Sequence, residues 1–106
     1  MEKVGVAKRV IERVMREHGI KVRRIYLFGS RARGDFREDS DWDFLVVVDR
    51  ELSFNERWDI IDLIKRELAR LSIPNDIIVR SEREFEELSR QPGTVSFEVA
   101  REGILL

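Results

Sequence analysis

The sequence predicts an α/β (α+β) domain in which helices pack on a small mixed β-sheet. Apolar residues recur at helical spacing in two long segments, residues 3–18 and 53–71. Three short apolar runs lie between charged or glycine-containing segments, as strands do. The chain has 106 residues, which suits a single domain with one modest core. We therefore expect one domain over residues 1–106, with the order α-β-β-α-β-α-α.

The first helix is predicted over residues 3–18, because valines recur at every fourth position from Val6 to Val14. Gly19 follows where helices commonly end in a left-handed residue. Residues 24–28 then form an apolar and aromatic run that ends at a Gly-Ser pair, which indicates a strand entering a turn.

The segment 31–39 is charged and contains glycine, so we predict a loop with a short helix at its start. Residues 41–48 form the second predicted strand. Its part from Phe44 to Val48 is apolar without interruption. Continuous apolarity is typical of a central strand that is covered on both faces.

The clearest helix is predicted over residues 53–71. Ser53 and Glu56 have the Ser-x-x-Glu spacing of a capping box at its start, and Pro74 prevents the helix from running on. The predicted buried stripe consists of apolar residues at helical spacing: Trp58, Ile60, Ile61, Ile64, Leu68 and Leu71.

The third strand is predicted over residues 76–79, which follow a Pro-Asn turn. Ser81 and Glu84 form a second capping box, so a helix should begin there and continue to about Arg90.

The last helix is predicted to begin at Pro92, since proline is favoured at the first helical position, and to end at Gly103. Residues 104–106 are expected to add a short edge strand to the sheet.

The composition excludes several classes of function. Charged residues make up 39% of the chain, against roughly 25% in an ordinary domain, but 20 basic and 21 acidic residues nearly cancel. A net charge of -1 argues against bulk attraction to DNA or RNA and makes a nucleic-acid partner an unfavoured prediction, while a local basic patch stays open as an alternative. There is no cysteine, and the one histidine, His18, cannot form a zinc site alone.

No apolar run approaches the roughly 20 residues of a membrane span. Charges appear from Glu2 onward, so nothing at the start resembles a signal peptide. We expect a cytoplasmic protein with no membrane contact.

Two carboxylates open the second predicted strand. Asp41 and Asp43 are two residues apart, so both side chains lie on the same face of the strand. Two adjacent carboxylates repel each other, and a hard cation such as Mg²⁺ or Mn²⁺ relieves that repulsion. The alternative is a pair of solvated charges at the mouth of a strand. Asp43 favours the first interpretation, because it enters an apolar strand where an unpaired charge is costly.

Asp76 opens the third predicted strand. If this strand lies beside the second one, all three carboxylates meet at one end of the sheet. The alternative is that Asp76 belongs to an ordinary Pro-Asn-Asp turn.

The Gly29-Ser30 pair lies where a strand turns into a possible helix. Glycine permits close backbone approach, and N–H groups at such a turn bind phosphate. Arg31 and Arg33 follow within one turn and are candidates to neutralise phosphate charge. The alternatives are an ordinary turn and two surface arginines.

These pieces together resemble the signature of the polymerase-beta nucleotidyltransferase superfamily: hydrophobic-Gly-Ser, a spacer of about ten residues, then Asp-hydrophobic-Asp-hydrophobic. Gly29-Ser30 and Asp41-x-Asp43 match that signature, and Asp76 matches the third carboxylate of the family. The resemblance covers essentially the whole chain, including an ending similar to the tails of small prokaryotic members.

At this size the chain is similar to the minimal nucleotidyltransferases, which consist of the catalytic module. The resemblance implies two Mg²⁺ ions, with Mn²⁺ as a substitute, held by Asp41, Asp43 and Asp76. It also implies that Gly29 and Ser30 anchor the triphosphate of ATP or another nucleoside triphosphate. Acceptor specificity is then expected to come from a partner, a second copy of the chain or the acceptor itself.

Small proteins of this type are often paired with a helical HEPN-domain ribonuclease. The resemblance therefore implies a nucleotidyltransferase that transfers AMP from ATP to a tyrosine of such a toxin, as its antitoxin. A small-molecule acceptor and a non-catalytic nucleotide-binding or interaction module are the alternatives. A structural domain with an accidental acidic cluster is a further one.

Overall fold

The structure, a computed structural model, describes residues 2–106 and confirms the predicted fold class: a four-stranded mixed sheet is flanked by helices. None of the helices in this range has the length and apolar character to cross a membrane. The elements are α1 (Glu2–Glu17), β1 (Val22–Phe28), α2 (Ser30–Arg33), β2 (Trp42–Val48), α3 (Phe54–Arg70), β3 (Asn75–Ser81), α4 (Glu82–Leu88), α5 (Val95–Glu102) and β4 (Ile104–Leu105).

The strand order in the sheet is β3-β2-β1-β4. β1 is antiparallel to β2 and to β4, whereas β2 and β3 are parallel and joined by the crossover helix α3. The end of β1 and the starts of β2 and β3 therefore lie at the same edge of the sheet. That edge is where the sequence places the Gly-Ser pair and the three aspartates.

The larger core lies between the sheet and the helices α1 and α3. Phe44, Val46 and Val48 of β2 point into this layer, where Met15 and Ile64 are fully buried. The intervening Leu45 and Val47 point to the opposite face. Both faces of β2 are thus covered, which confirms that it is a central strand.

The second face of the sheet carries a smaller apolar cluster under α4 and α5. Phe85 and Val99 supply the helical side of this cluster and pack on Leu45 and Val47. Tyr26 stacks on Phe85 with ring centroids 5.4 Å apart. The sheet is therefore covered unequally, with most of the buried apolar residues on the α1 and α3 side.

The two predicted capping boxes have different outcomes. At Ser81 the box is complete, because its hydroxyl accepts from the N–H of Glu84 and the Glu84 carboxylate returns to the N–H of Ser81. At Ser53 the hydroxyl accepts from the N–H of Glu56 at 3.2 Å, but the Glu56 carboxylate pairs with Arg50 instead. The box at α3 is therefore half formed.

Two residues of the predicted buried stripe on α3 are exposed. Trp58 is 54% exposed and Leu71 is 45% exposed, whereas the other four positions are buried: Ile60, Ile61, Ile64 and Leu68. Trp58 lies above β3, which is an end strand, so no further part of the sheet covers it. Leu71 is the C-cap residue and lies beyond the part of α3 that packs on the core.

The predicted start of the last helix at Pro92 was wrong. Pro92 lies in a turn, and α5 begins only after Thr94, whose hydroxyl accepts from the N–H of Phe97 at 3.1 Å. A side-chain cap therefore sets the start of this helix rather than a proline. Gly103 ends it, as predicted.

Candidate active site

The edge of the sheet brings the predicted carboxylates and the glycine turn together. Asp43 in β2 lies directly beside Asp76 in the parallel strand β3, and beside Phe28 in the antiparallel strand β1. Trp42 donates its backbone N–H to the carbonyl of Pro74 at 2.8 Å, which fixes the start of β2 against the turn that precedes Asp76. Asp43 is therefore the central residue of this edge.

Gly29 is required by its backbone conformation and by its neighbour. Its φ of 73° and ψ of −155° fall in a region that is open essentially to glycine alone. A Cβ atom at this position would lie 2.2 Å from Oδ2 of Asp43. The Asp43 carboxylate thus packs directly on the backbone of the turn, in space that a side chain would fill.

The Asp43 carboxyl group is partly buried, and its pKa is raised above its ordinary value of 3.8. Burial is the largest cause, followed by the negative charges of Asp76 and Asp41. Arg33 and Lys65 oppose this shift in part. The three carboxylates are therefore close enough to repel one another, and a bound cation would relieve that repulsion.

Asp41 and Asp76 are exposed and flank Asp43. Oδ1 of Asp76 lies 3.6 Å from Nζ of Lys65, which also donates to the carbonyl of Asn75 at 3.2 Å. Sequence reasoning missed Lys65. The available signal was its position on the helix that joins the two carboxylate strands, because a crossover helix packs beside the second strand it connects.

Arg31 makes most of its contacts with the loop that joins α2 to β2. Its guanidinium lies between the rings of Phe36 and Trp42, 4.4 and 4.3 Å from their centroids. It also donates to the carbonyls of Glu38 and Ser40, each at 3.0 Å. These contacts hold the loop closed over the buried indole of Trp42. Its predicted contact with a nucleotide stays a prediction.

Arg33 and Ser30 lie nearer the carboxylates. Arg33 is exposed, with its Nε 3.4 Å from Oδ2 of Asp35, and its charge lowers the pKa of Asp43. Ser30 is half-buried at the first position of α2, directly after the Gly29 turn. Both residues therefore lie on α2, the short helix that follows the Gly29 turn.

The residues present suit a divalent cation, although their side chains are not yet arranged around one. The candidate ligands are three aspartates, which offer oxygen atoms and no nitrogen or sulfur. Oxygen ligands are those that Mg²⁺ prefers. Within residues 2–106, no three acidic or histidine side chains converge closely enough to hold a metal ion. Oδ1 of Asp76 contacts Nζ of Lys65, so a cation bound at this carboxylate would compete with that ion pair.

Known proteins are similar to this chain in sequence. The family model described as "Polymerase beta, Nucleotidyltransferase" matches residues 9–106. Two proteins of Methanocaldococcus jannaschii, each named "Putative protein adenylyltransferase", are similar to this chain. One is 37% identical over 67 residues, which are 63% of this chain and 62% of the relative. The other is 39% identical over 59 residues, 56% of each chain. The matched segments span less than two thirds of either relative.

Solved structures share the fold. A crystal structure of a toxin-antitoxin with AMP-PNP has a TM-score of 0.58 and 24% identity, over 92% of this chain and 69% of that one. A mutant of the toxin-antitoxin MntA-HpeT has a TM-score of 0.57 and 22% identity, over 93% and 70%. At this level of identity the similarity establishes a common architecture.

Proposed function

We propose that this chain, which belongs to the polymerase beta nucleotidyltransferase family, transfers AMP from ATP to a hydroxyl group of a partner protein. The observation that carries the proposal is the position of Asp43, between Asp76 on one side and the Gly29 turn on the other. This arrangement supports the proposal, because a group of carboxylates, which suits a cation, lies beside a glycine turn that is open to phosphate.

In this proposal Asp41 and Asp43 hold two Mg²⁺ ions, and Asp76 completes the ligands of one of them. When bound, the two ions would activate the attacking hydroxyl and stabilise the departing pyrophosphate. The pKa of Asp43 is raised first by burial and then by the charges of Asp76 and Asp41, and this supports the assignment because a bound cation would stabilise the ionised carboxylate.

The glycine turn would receive the triphosphate. Gly29 has no side chain, so phosphate oxygens can approach its backbone, and the Ser30 hydroxyl can donate a hydrogen bond to one of them. Arg33 is exposed next to this space and would offset the negative charge of the leaving group. Arg31 would act indirectly, by holding the loop that leads into Asp41.

The reaction is a displacement at the α-phosphorus of ATP. The acceptor oxygen forms a bond to that phosphorus, and the bond from the phosphorus to the oxygen that bridges to the β-phosphate breaks. Pyrophosphate leaves with that oxygen. Asp76 is the candidate base for the hydroxyl proton, since it lies on the outermost of the strands that carry the aspartates and is exposed.

The acceptor in this proposal is a tyrosine of a HEPN-domain toxin, and the chain acts in the cytoplasm as its antitoxin. The curated relatives are named as adenylyltransferases of proteins, which favours a protein acceptor. The solved structures of the same fold are toxin-antitoxin proteins, which favours this kind of partner.

The test is transfer of label from α-labelled ATP, with Mg²⁺, to a HEPN-domain protein from the same genome. We expect the wild-type chain to label the toxin on a tyrosine, and the variant Asp41→Asn/Asp43→Asn to stay folded and lose transfer by at least about a thousandfold. The matched control is Asp39→Asn/Asp59→Asn, which removes the same charge at exposed positions and should keep full activity.

Undiminished transfer by Asp41→Asn/Asp43→Asn would contradict the proposed site. Transfer of label to small molecules, with none to protein, would contradict the proposed acceptor and leave the reaction type intact.

A further inference from the structure

The strand β3 ends the sheet on one side, and its outer edge lies open. Within residues 2–106 its one strand neighbour is β2. Side chains of the same molecule supply hydrogen bonds to its carbonyls: Arg80 Nη1 donates to Val79 at 3.0 Å, and Lys65 Nζ to Asn75 at 3.2 Å. An end strand of seven residues is a template for pairing with another strand.

A groove of about 480 Å³, lined by apolar residues together with Arg57, Arg80 and Glu84, follows this edge between α3 and α4. On the α3 side it is bordered by Trp58 and Phe54, which are 54% and 70% exposed and pack edge to face with centroids 6.2 Å apart. On the α4 side it is bordered by Leu88. Two exposed aromatic rings beside an open strand are typical of an interaction surface.

The sequence of β3 is complementary to itself when it is read in the opposite direction. In an antiparallel pair of two β3 strands centred on Ile78, Asp76 of one copy lies directly opposite Arg80 of the other. Ile78 lies opposite Ile78, and Ile77 lies opposite Val79. Directly opposite residues share a face of the sheet. The two-fold symmetry therefore gives two Asp76–Arg80 pairs, one on each side of the central Ile78 pair.

The two charged residues of this edge, Arg80 and Asp76, have few ionic contacts within one copy. No ion pair within residues 2–106 includes Arg80, which is half-buried. Burial and the neighbouring Arg57 lower the pKa of the Arg80 guanidinium, so a carboxylate opposite it would be stabilising. Asp76 is exposed and has one contact, at 3.6 Å, with Lys65.

We infer that two copies of this chain form a two-fold dimer by antiparallel pairing of their β3 strands. The two sheets become one continuous eight-stranded sheet, and Trp58 and Phe54 of each copy are covered along the line of contact. The pairing places Arg80 of the second copy beside Asp76, so each candidate active site includes a residue of the other copy. That last consequence rests on the proposed function, whereas the dimer itself does not.

The test measures assembly by sedimentation of the full chain over a wide range of concentration, without nucleotide. We expect a reversible dimer. Arg80→Asp and Asp76→Arg, each alone, place like charges opposite one another and should raise the dissociation constant at least about tenfold. The double variant Asp76→Arg/Arg80→Asp restores opposite charges and should restore the dimer. Arg16→Glu, a reversal on the exposed side of α1, should leave it unchanged.

A monomeric wild-type chain at every concentration would overturn the inference, and so would a double variant that is no better than the single ones. Hydrogen exchange of the wild-type chain gives a second test that needs no variant. The amides of residues 75–81 should exchange more slowly as protein concentration rises, and unchanged exchange would count against the pairing. A dimer without transfer activity would contradict the proposed function and leave this inference standing.

Discussion

At the scale of single residues, Gly29 and Asp43 depend on each other. The turn can adopt its conformation because residue 29 has no side chain, and the carboxylate of Asp43 fills the space that a Cβ atom would take. Repulsion by Asp41 and Asp76 then acts on a group that is held in place. The backbone conformation of Gly29 therefore helps to set the position of the Asp43 carboxylate on which the neighbouring charges act.

Gly29→Ala should destabilise the fold by about 2 kcal/mol or more, because it adds a strained conformation and a collision with Asp43. Urea unfolding would measure the loss. Gly19→Ala is the matched control, since Gly19 also has a positive φ of 70° but open space where a Cβ would lie. Gly19→Ala should lower the free energy of unfolding by about 1 kcal/mol, because Ala is strained at a positive φ. Equal losses at the two positions would show that the Asp43 contact carries no weight.

Asp43→Asn should raise the thermal unfolding midpoint when divalent cations are absent. The folded pKa of Asp43 is raised, so ionisation costs more in the folded chain than in the unfolded one. This penalty is absent below about pH 4, where the carboxyl is protonated in both states, and grows as pH rises through the folded pKa. The variant should therefore gain stability at neutral pH and none in acid.

Thermal melts at two pH values would test this, with Asp39→Asn as an exposed control of the same charge change. Adding Mg²⁺ should raise the midpoint of the wild-type chain more than that of Asp43→Asn. The expectation fails if the variant is less stable than wild type at neutral pH without metal.

At the scale of elements, the ends of helices and loops are fixed by specific polar contacts. Ser81 begins α4 with a complete capping box, and Ser53 begins α3 with half of one. Arg31 closes the loop before β2 through two aromatic rings and two carbonyls. These contacts place the carboxylate strands without touching the carboxylates.

Ser81→Ala should cost about 1 to 2 kcal/mol, because the N–H of Glu84 loses its hydroxyl acceptor at a buried position. Ser53→Ala should cost less, about 0.5 to 1 kcal/mol, since Ser53 is exposed and Glu56 keeps its pairing with Arg50. Chemical denaturation of both variants would check the order. A larger loss at Ser53 would contradict the role of the complete box.

Arg31→Lys should loosen the loop from Asp35 to Asp41 while it keeps the charge. An ammonium cannot stack as a plane between Phe36 and Trp42 and reach both carbonyls. Hydrogen exchange of the loop amides should become several times faster, whereas the strand amides should change little. Arg33→Lys is the control, because Arg33 makes no contact of this kind with the loop in the described chain. Unchanged exchange in Arg31→Lys would show that the clamp is unimportant.

At the scale of the whole molecule, the sheet separates two apolar layers of different size. The layer under α1 and α3 contains most of the core, and the layer under α4 and α5 is small and held by Phe85 and Val99. An unequal division of buried surface gives unequal local stability. The face of the sheet with fewer buried contacts should open first.

Ile64→Ala should therefore cost about 3 to 4 kcal/mol, and Val99→Ala about 1 to 2 kcal/mol. In native-state hydrogen exchange, the amides of α4 and α5 should exchange through partial opening at lower denaturant than those of α3. Simultaneous exchange of both layers would show one cooperative unit instead.

The sequence was informative where a feature depends on neighbouring residues. The pairing of Asp41 with Asp43 follows from strand alternation, and both serine caps follow from short spacings. Features that depend on distant segments were harder to predict. Asp76 lies beside Asp43 only because β2 and β3 pair in parallel, which the local sequence does not reveal. The contact of Lys65 with Asp76 likewise depends on how α3 is oriented over these two strands. Trp58 was placed in the core because the sequence does not reveal that β3 ends the sheet.

The antiparallel hairpin of β1 and β2 carries Gly29, Ser30, Asp41 and Asp43 within fifteen consecutive residues. This half of the site has a low contact order and can assemble early in folding, because only a short loop must close. Asp76 follows the crossover connection of residues 49–74, which contains α3, so its half assembles later. Under the proposed function, evolution could therefore lengthen or replace the crossover to suit a new acceptor while the hairpin that carries the candidate nucleotide site keeps its geometry.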